Sequence, residues 1–158
     1  MAGSLNYLSE KKISQLSEID RRMEMASDVL QENQGLLKSV ESRMAEIRGL
    51  TEALEIYKKL KPLAASMKDA KHSADYRKAH EGDLLIYRRA RETLKKQYSL
   101  KDLPSAKRLQ EEYQELSGRR NELYEERSMI RKEYKDLENA RYNLQMIASK
   151  DRNRELVR

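Results

Sequence analysis

From Leu16 onward, apolar residues recur at alternating steps of three and four: Leu16, Ile19, Met23, Ala26, Leu30, Asn33, Leu37, Val40, Met44, Ile47, Thr51 and Leu54. Side chains so spaced share one helix face, and a sustained seven-residue repeat marks them as heptad a and d positions of a coiled-coil seam. The phase passes Gly35 and Gly49 unshifted, so the pattern predicts one helix over about residues 5–60. The competing geometry breaks this stretch at Gly35 into a hairpin and gives a four-helix monomer. Lys61-Pro62 is expected to end the helix, because the residue before proline is pushed out of the α region. The first segment, 1–62, is thus a long coiled-coil helix, and 63–72 is a linker rich in Ala, Lys and Ser.

A second helix is predicted from an N-cap at Ser73 to a point before Ser99. Tyr76, His80, Leu84, Tyr87, Leu94 and Tyr98 share one of its faces. Leu100, Leu103 and Pro104 form an apolar turn, and Pro104-Ser105 marks the start of a third helix. That helix repeats the seam with Ala106, Leu109, Tyr113, Leu116, Arg120, Leu123, Arg127, Ile130, Tyr134, Leu137, Arg141, Leu144 and Ala148. Arg120, Arg127 and Arg141 stand at a positions. They either hold register by reaching a polar group across the seam, as Asn33 could from the other helix, or face water or nucleic acid. Residues 73–149 thus read as a helical hairpin, with 150–158 a basic tail.

The fold class expected is all-α: long antiparallel coiled-coil helices, three in an up-down-up path, assembling as a dimer. At about 1.5 Å per residue the helices are roughly 80, 40 and 65 Å long, so they cannot all cover one another. A second copy or another helical partner is the expected cover for the seams, with Leu16, Ile19, Met23, Leu30, Asn33, Leu37, Val40, Met44, Ile47, Leu54, Arg120, Arg127 and Arg141 as the candidate oligomer seam.

Composition narrows the class further. The chain has 158 residues, 38% of them charged, no Phe, Trp or Cys, and only two prolines and five glycines. It cannot build a thick core, and it has few places to turn. Without cysteine there is no disulfide framework or thiolate metal site, which suits a reducing, cytoplasmic setting. No apolar run approaches the roughly 20 residues that span a bilayer, so a soluble protein without membrane insertion is expected. Met1-Ala2-Gly3-Ser4 has the look of a cloning remnant.

The net charge of +6 is localised. Lys and Arg exceed Asp and Glu by four over 71–98 and by two over 150–158, and the two signs balance over the rest. Lys71, Arg77, Lys78, Arg88, Arg89, Arg91, Lys95 and Lys96 supply the excess on the second helix. Such a cluster is either a solvated helix face or the electrostatic footprint of a phosphate-backbone contact, which makes DNA a candidate partner. Catalytic chemistry has no comparable signal. His72 and His80 have no third histidine to complete a metal or triad arrangement, and no phosphate loop, nucleophile elbow or paired-carboxylate cleft is present. His80 reads as a packed, hydrogen-bonded core residue, with Glu81 and Asp83 pointing away from it. No cofactor, metal or small-molecule substrate is expected.

The stretch Tyr76-Arg-Lys-Ala-His80-Glu-Gly-Asp-Leu-Leu85 is followed by Lys101-Asp-Leu-Pro104-Ser-Ala-Lys-Arg-Leu109-Gln-Glu-Glu-Tyr113. Together they resemble the C-terminal region of mobilisation relaxases from conjugative and integrative elements of Gram-positive bacteria. The resemblance covers roughly residues 57–144, with Gly82 standing where alanine is expected. It implies a bacterial cytoplasmic protein and a non-catalytic part or stand-alone relative of a larger DNA-nicking nuclease, whose tyrosine nucleophile and histidine-bound metal belong to an N-terminal domain not found here. On that basis the chain is expected to be an assembly module that oligomerises the relaxase or docks relaxosome components. The alternative is a DNA-binding accessory that contacts the transfer origin through residues 71–98.

Overall fold

The computed structural model describes residues 2–68 and 74–157, with side chains over 10–68 and 74–156. Four helices make up almost all of the described chain: α1 (Ala2–Ser66), α2 (Ala74–Ala79), α3 (Glu81–Lys95) and α4 (Ala106–Val157). The chain divides into two compact units, one formed by 1–38 and 121–158 and the other by 39–120, so α1 and α4 contribute to both.

In the first unit α1 and α4 run antiparallel. Lys12 pairs with Asp151, Asp20 with Arg141 at 3.2 Å, and Asn33 Nδ2 donates to the Leu123 carbonyl at 2.9 Å, so residue numbers fall on one helix as they rise on the other. Met23, Ala26, Asn33, Leu37 and Leu123 are buried along this seam, and Leu16, Ile19, Leu30, Ile130, Tyr134, Leu137 and Leu144 are half-buried. The a and d phase read from the sequence is therefore the face that the chain itself covers.

In the second unit α3 joins the pair. Tyr57 stacks on Tyr87 with ring centroids 5.5 Å apart, while Arg43 reaches Gln97 at 2.7 Å, so α3 runs against α1. Arg43 also bonds Glu112, and Glu55 lines a groove with Ala106, so α4 runs against α1 here too. This corrects the expected up-down-up path, which would set the last helix parallel to the first. The heptad repeat encodes which face is buried but not the direction of the partner. Direction is set by the short segment after α3, whose Leu100 and Leu103 pack against the core and turn the chain so that α4 starts on the stretch of α1 that α3 also covers. The core itself comprises Ile47, Leu50, Ala53, Leu54, Tyr57, Ala90, Leu94 and Leu109.

Two helix boundaries also differ from the sequence reading. α1 runs through Pro62 to Ser66, beyond the expected stop. Proline removes one backbone donor and crowds one carbonyl, a cost of about 3 kcal/mol that a long packed helix can absorb. Pro62 is exposed, and Met67 N donates to the Leu63 carbonyl just beyond it. The single second helix is interrupted at His80, whose φ of −102° and ψ of 8° lie outside the helical basin. Gly82 weakens helix at this point, and no side chain caps the start of α3. The expected Ser73 cap lies outside the described residues, whereas Ser105 Oγ does accept the Arg108 N–H at 3.1 Å and opens α4 as expected.

Gly35 and Gly49 lie within continuous α1, so the hairpin alternative is not adopted. A Cβ added at either glycine meets nothing within 4 Å. Gly35→Ala and Gly49→Ala are each expected to raise stability by about 0.5–1 kcal/mol, since alanine restricts the unfolded chain without a steric cost. Urea midpoints followed by circular dichroism check this, and an unchanged or lower midpoint in both variants contradicts it.

Candidate functional site

The basic cluster falls on α2, α3 and the first residue past α3. Arg77 and Lys78 lie on α2, Arg88, Arg89, Arg91 and Lys95 on α3, and Lys96 is the α3 C-cap; Lys71 lies outside the described residues. All seven described cations are exposed. Among the described residues no ion pair engages Lys78, Arg88, Arg89, Arg91, Lys95 or Lys96. Arg77, Lys78 and Arg88 line a shallow groove of about 360 Å³ with Glu81, Leu84 and Leu85. The opposite face of α3 holds it to the core through Tyr87, Ala90 and Leu94. Burial, with Tyr57 beside it, pushes the Tyr87 phenol above its usual range, while nearby Arg91 pulls the other way.

His80 departs from its expected role. Its ring is half-buried beside Tyr76, with centroids 4.5 Å apart, and its buried Nδ1 has no hydrogen bond. Asp83, expected to point away, brings Oδ2 to 3.6 Å from that nitrogen, because residues three apart on a helix are neighbours. His72 lies outside the described residues. Among the described residues no group of three or more His, Asp or Glu side chains could hold a metal ion.

The candidate seam is brought together, but by α1 and α4 of one chain. Val40, Arg120 and Arg127 are half-buried, and Met44, Ile47 and Leu54 are buried. Arg141 is exposed and bridges to Asp20. Asn33, 3% exposed, bonds a backbone carbonyl rather than an arginine, and its Oδ1 has no partner.

Sequence reasoning missed the polar clamp at Arg43. This guanidinium donates to Glu112 at 2.8 Å, to Gln97 and to Glu46, joining α1, α4 and the end of α3. Glu112, then Tyr98, raises its pKa above the ordinary arginine value. The available signal was heptad position: Arg43 and Glu112 both precede an a residue, and such g positions flank each other across an antiparallel seam.

A second feature concerns the positions beside the seam. In the second unit three c and g residues of α1, Leu50, Ala53 and Tyr57, are buried in the cluster that contains α3, while Ser39 and Glu46 at the same heptad positions are exposed. In the first unit the same heptad positions include Met25, Val29 and Leu36, which are 56%, 45% and 43% exposed, interspersed with Gln15, Glu18, Arg22 and Glu32. On α4 the matching positions include Met129, 73% exposed, and exposed Ile147.

No protein-family model, curated protein or solved structure matches the chain in comparisons of sequence and fold. No helix among the described residues is long and apolar enough to cross a membrane.

Proposed function

We propose that the chain is a non-catalytic helical assembly module, acting in the bacterial cytoplasm as part of, or alongside, a conjugative-DNA mobilisation relaxase. The observation that carries the assembly reading is the set of exposed apolar residues among the otherwise polar c and g positions on both helices of the first unit: Met25, Val29, Leu36, Met129 and Ile147. Solvent-facing helix surfaces are normally polar, and apolar residues gathered along one stripe are the mark of a contact. The relaxase context rests on the resemblance of residues 57–144 alone. Sedimentation velocity of the isolated chain tests the assembly reading. A dimer at tens of micromolar is expected, and a monomer throughout that range overturns self-assembly.

A second reading, a DNA-binding accessory, is favoured by exposed Lys78 on α2 and Arg88, Arg89, Arg91 and Lys95 on α3, which form no ion pair among the described residues. Phosphate contacts release counterions, so affinity falls steeply with salt. Reversing Arg88, Arg89, Lys95 and Lys96 to glutamate is expected to abolish oligonucleotide binding measured by fluorescence anisotropy. If affinity and its salt slope stay unchanged, this reading fails.

A further inference from the structure

Resting on the assembly reading, the geometry points to a specific partner: we infer that a second copy of this chain docks along the exposed c and g stripe of α4, with the two α4 helices antiparallel and their two-fold axis near residue 138. The stripe consists of Glu122, Glu126, Met129, Glu133, Asp136, Ala140, Asn143, Ile147, Lys150 and Arg154, and all but half-buried Ala140 are exposed. Its charge is segregated. Every ionisable residue from 122 to 136 on the stripe is acidic, and the two from 150 to 154 are basic.

An antiparallel two-fold converts that segregation into complementarity, because in an isologous contact each residue meets the residue equally far beyond the axis on its partner. About residue 138, Glu126 meets Lys150 of the other copy and Glu122 meets Arg154. Met129, the more exposed of the two apolar side chains, meets Ile147. Asp136 meets the small Ala140, and Glu133 meets Asn143. No like charges are opposed, and each favourable pair occurs twice. A parallel arrangement instead sets four carboxylates against the same four, a repulsive contact along half of the stripe.

The opposed side of the heptad supports the choice of face. Where α3 is available, in the second unit, the apolar c and g residues Leu50, Ala53 and Tyr57 of α1 are covered; in the first unit Met25, Val29 and Leu36 at these positions stand in the open. The a and d seam assigned to oligomerisation from sequence is already occupied within the chain, so the contact with a second copy falls on its flank.

Charge swaps and cross-links test the register. Glu126→Lys and Lys150→Glu are each expected to weaken dimerisation by about tenfold or more in sedimentation equilibrium, and the double variant to restore it, because the reversed pair is complementary again. The chain has no cysteine, so introduced thiols report directly. A mixture of Met129→Cys and Ile147→Cys chains is expected to form a disulfide-linked dimer, and Met129→Cys alone is not. Within one helix these positions are 18 residues, about 27 Å, apart, too far for a disulfide inside the chain. A dimer indifferent to both charge swaps, or Met129→Cys linking to itself, overturns the register and leaves the assembly reading standing. A wild-type monomer overturns both this contact and self-assembly.

Discussion

Leu94→Ala is expected to destabilise the second unit by about 2–5 kcal/mol, the range for truncating a fully buried leucine. Leu94 is 0% exposed and lies in one cluster with Ile47, Leu50, Leu54 and Leu109, where α1, α3 and α4 meet. Removing its branched end leaves a void whose lining comes from three helices, two of them long, so the backbone has little freedom to close around it. The loss falls on α3 first. That helix has only 15 residues and buries two, Ala90 and Leu94, while α2 buries none. Isolated helices of this length are marginal in water, so α3 persists because it is packed. Urea denaturation followed by circular dichroism measures the cost. Hydrogen exchange is expected to show amide protection lost over 81–95 before it is lost over α1. Leu85→Ala serves as the control: Leu85 is about half exposed, and its truncation is expected to change stability by no more than about 0.5 kcal/mol. Equal effects at Leu94 and Leu85 contradict the packing described for α3.

The difference between those two adjacent regions of one helix also marks what the sequence could and could not convey. The seam of α1 was legible residue by residue, because a buried face repeats and every position from Leu16 to Leu54 on it is buried or half-buried. The extra burial of Leu50, Ala53 and Tyr57 was not, since it depends on a third helix arriving at one end only. Nor could the repeat distinguish a parallel from an antiparallel α4, as both bury the same residues. Pro62 and His80 misled in opposite directions. A strong local signal at Pro62 was overridden by the continuity of a long helix, and an apparently regular face across His80 concealed a break that begins with one non-helical residue. The seven described cations of the candidate basic cluster are exposed, which a solvated helix face and a phosphate contact both require. The open stripe of α4 became visible only when the a and d positions had been accounted for within the chain.

Asn33 is where stability and specificity are expected to separate. It is buried at a d position, donates from Nδ2 to the Leu123 carbonyl, and leaves Oδ1 without a partner. The carbonyl belongs to a helical residue, so the amide bond adds to a group that α4 can already satisfy through its own ladder. The buried oxygen has no hydrogen-bond partner among the described residues, and leaving such a group unsatisfied costs about 1–3 kcal/mol. Asn33→Leu removes that penalty, adds apolar burial beside Leu37 and Leu123, and is expected to stabilise the first unit by about 1–3 kcal/mol. A buried asparagine in a seam nevertheless biases register, because alignments that set its amide against apolar side chains leave it without a hydrogen bond. With leucine there, shifted or parallel pairings lose their disadvantage, and species larger than the wild-type assembly are expected in sedimentation velocity. Asn33→Gln separates the two effects: it retains the polar demand in a longer side chain, and is expected to destabilise without broadening the distribution. If Asn33→Leu lowers the denaturation midpoint, the unpartnered Oδ1 does not carry the cost assigned to it. If the midpoint rises while the sedimentation profile stays that of wild type, register is held elsewhere, the Asp20–Arg141 and Lys12–Asp151 pairs being among the cross-helix ties in the first unit.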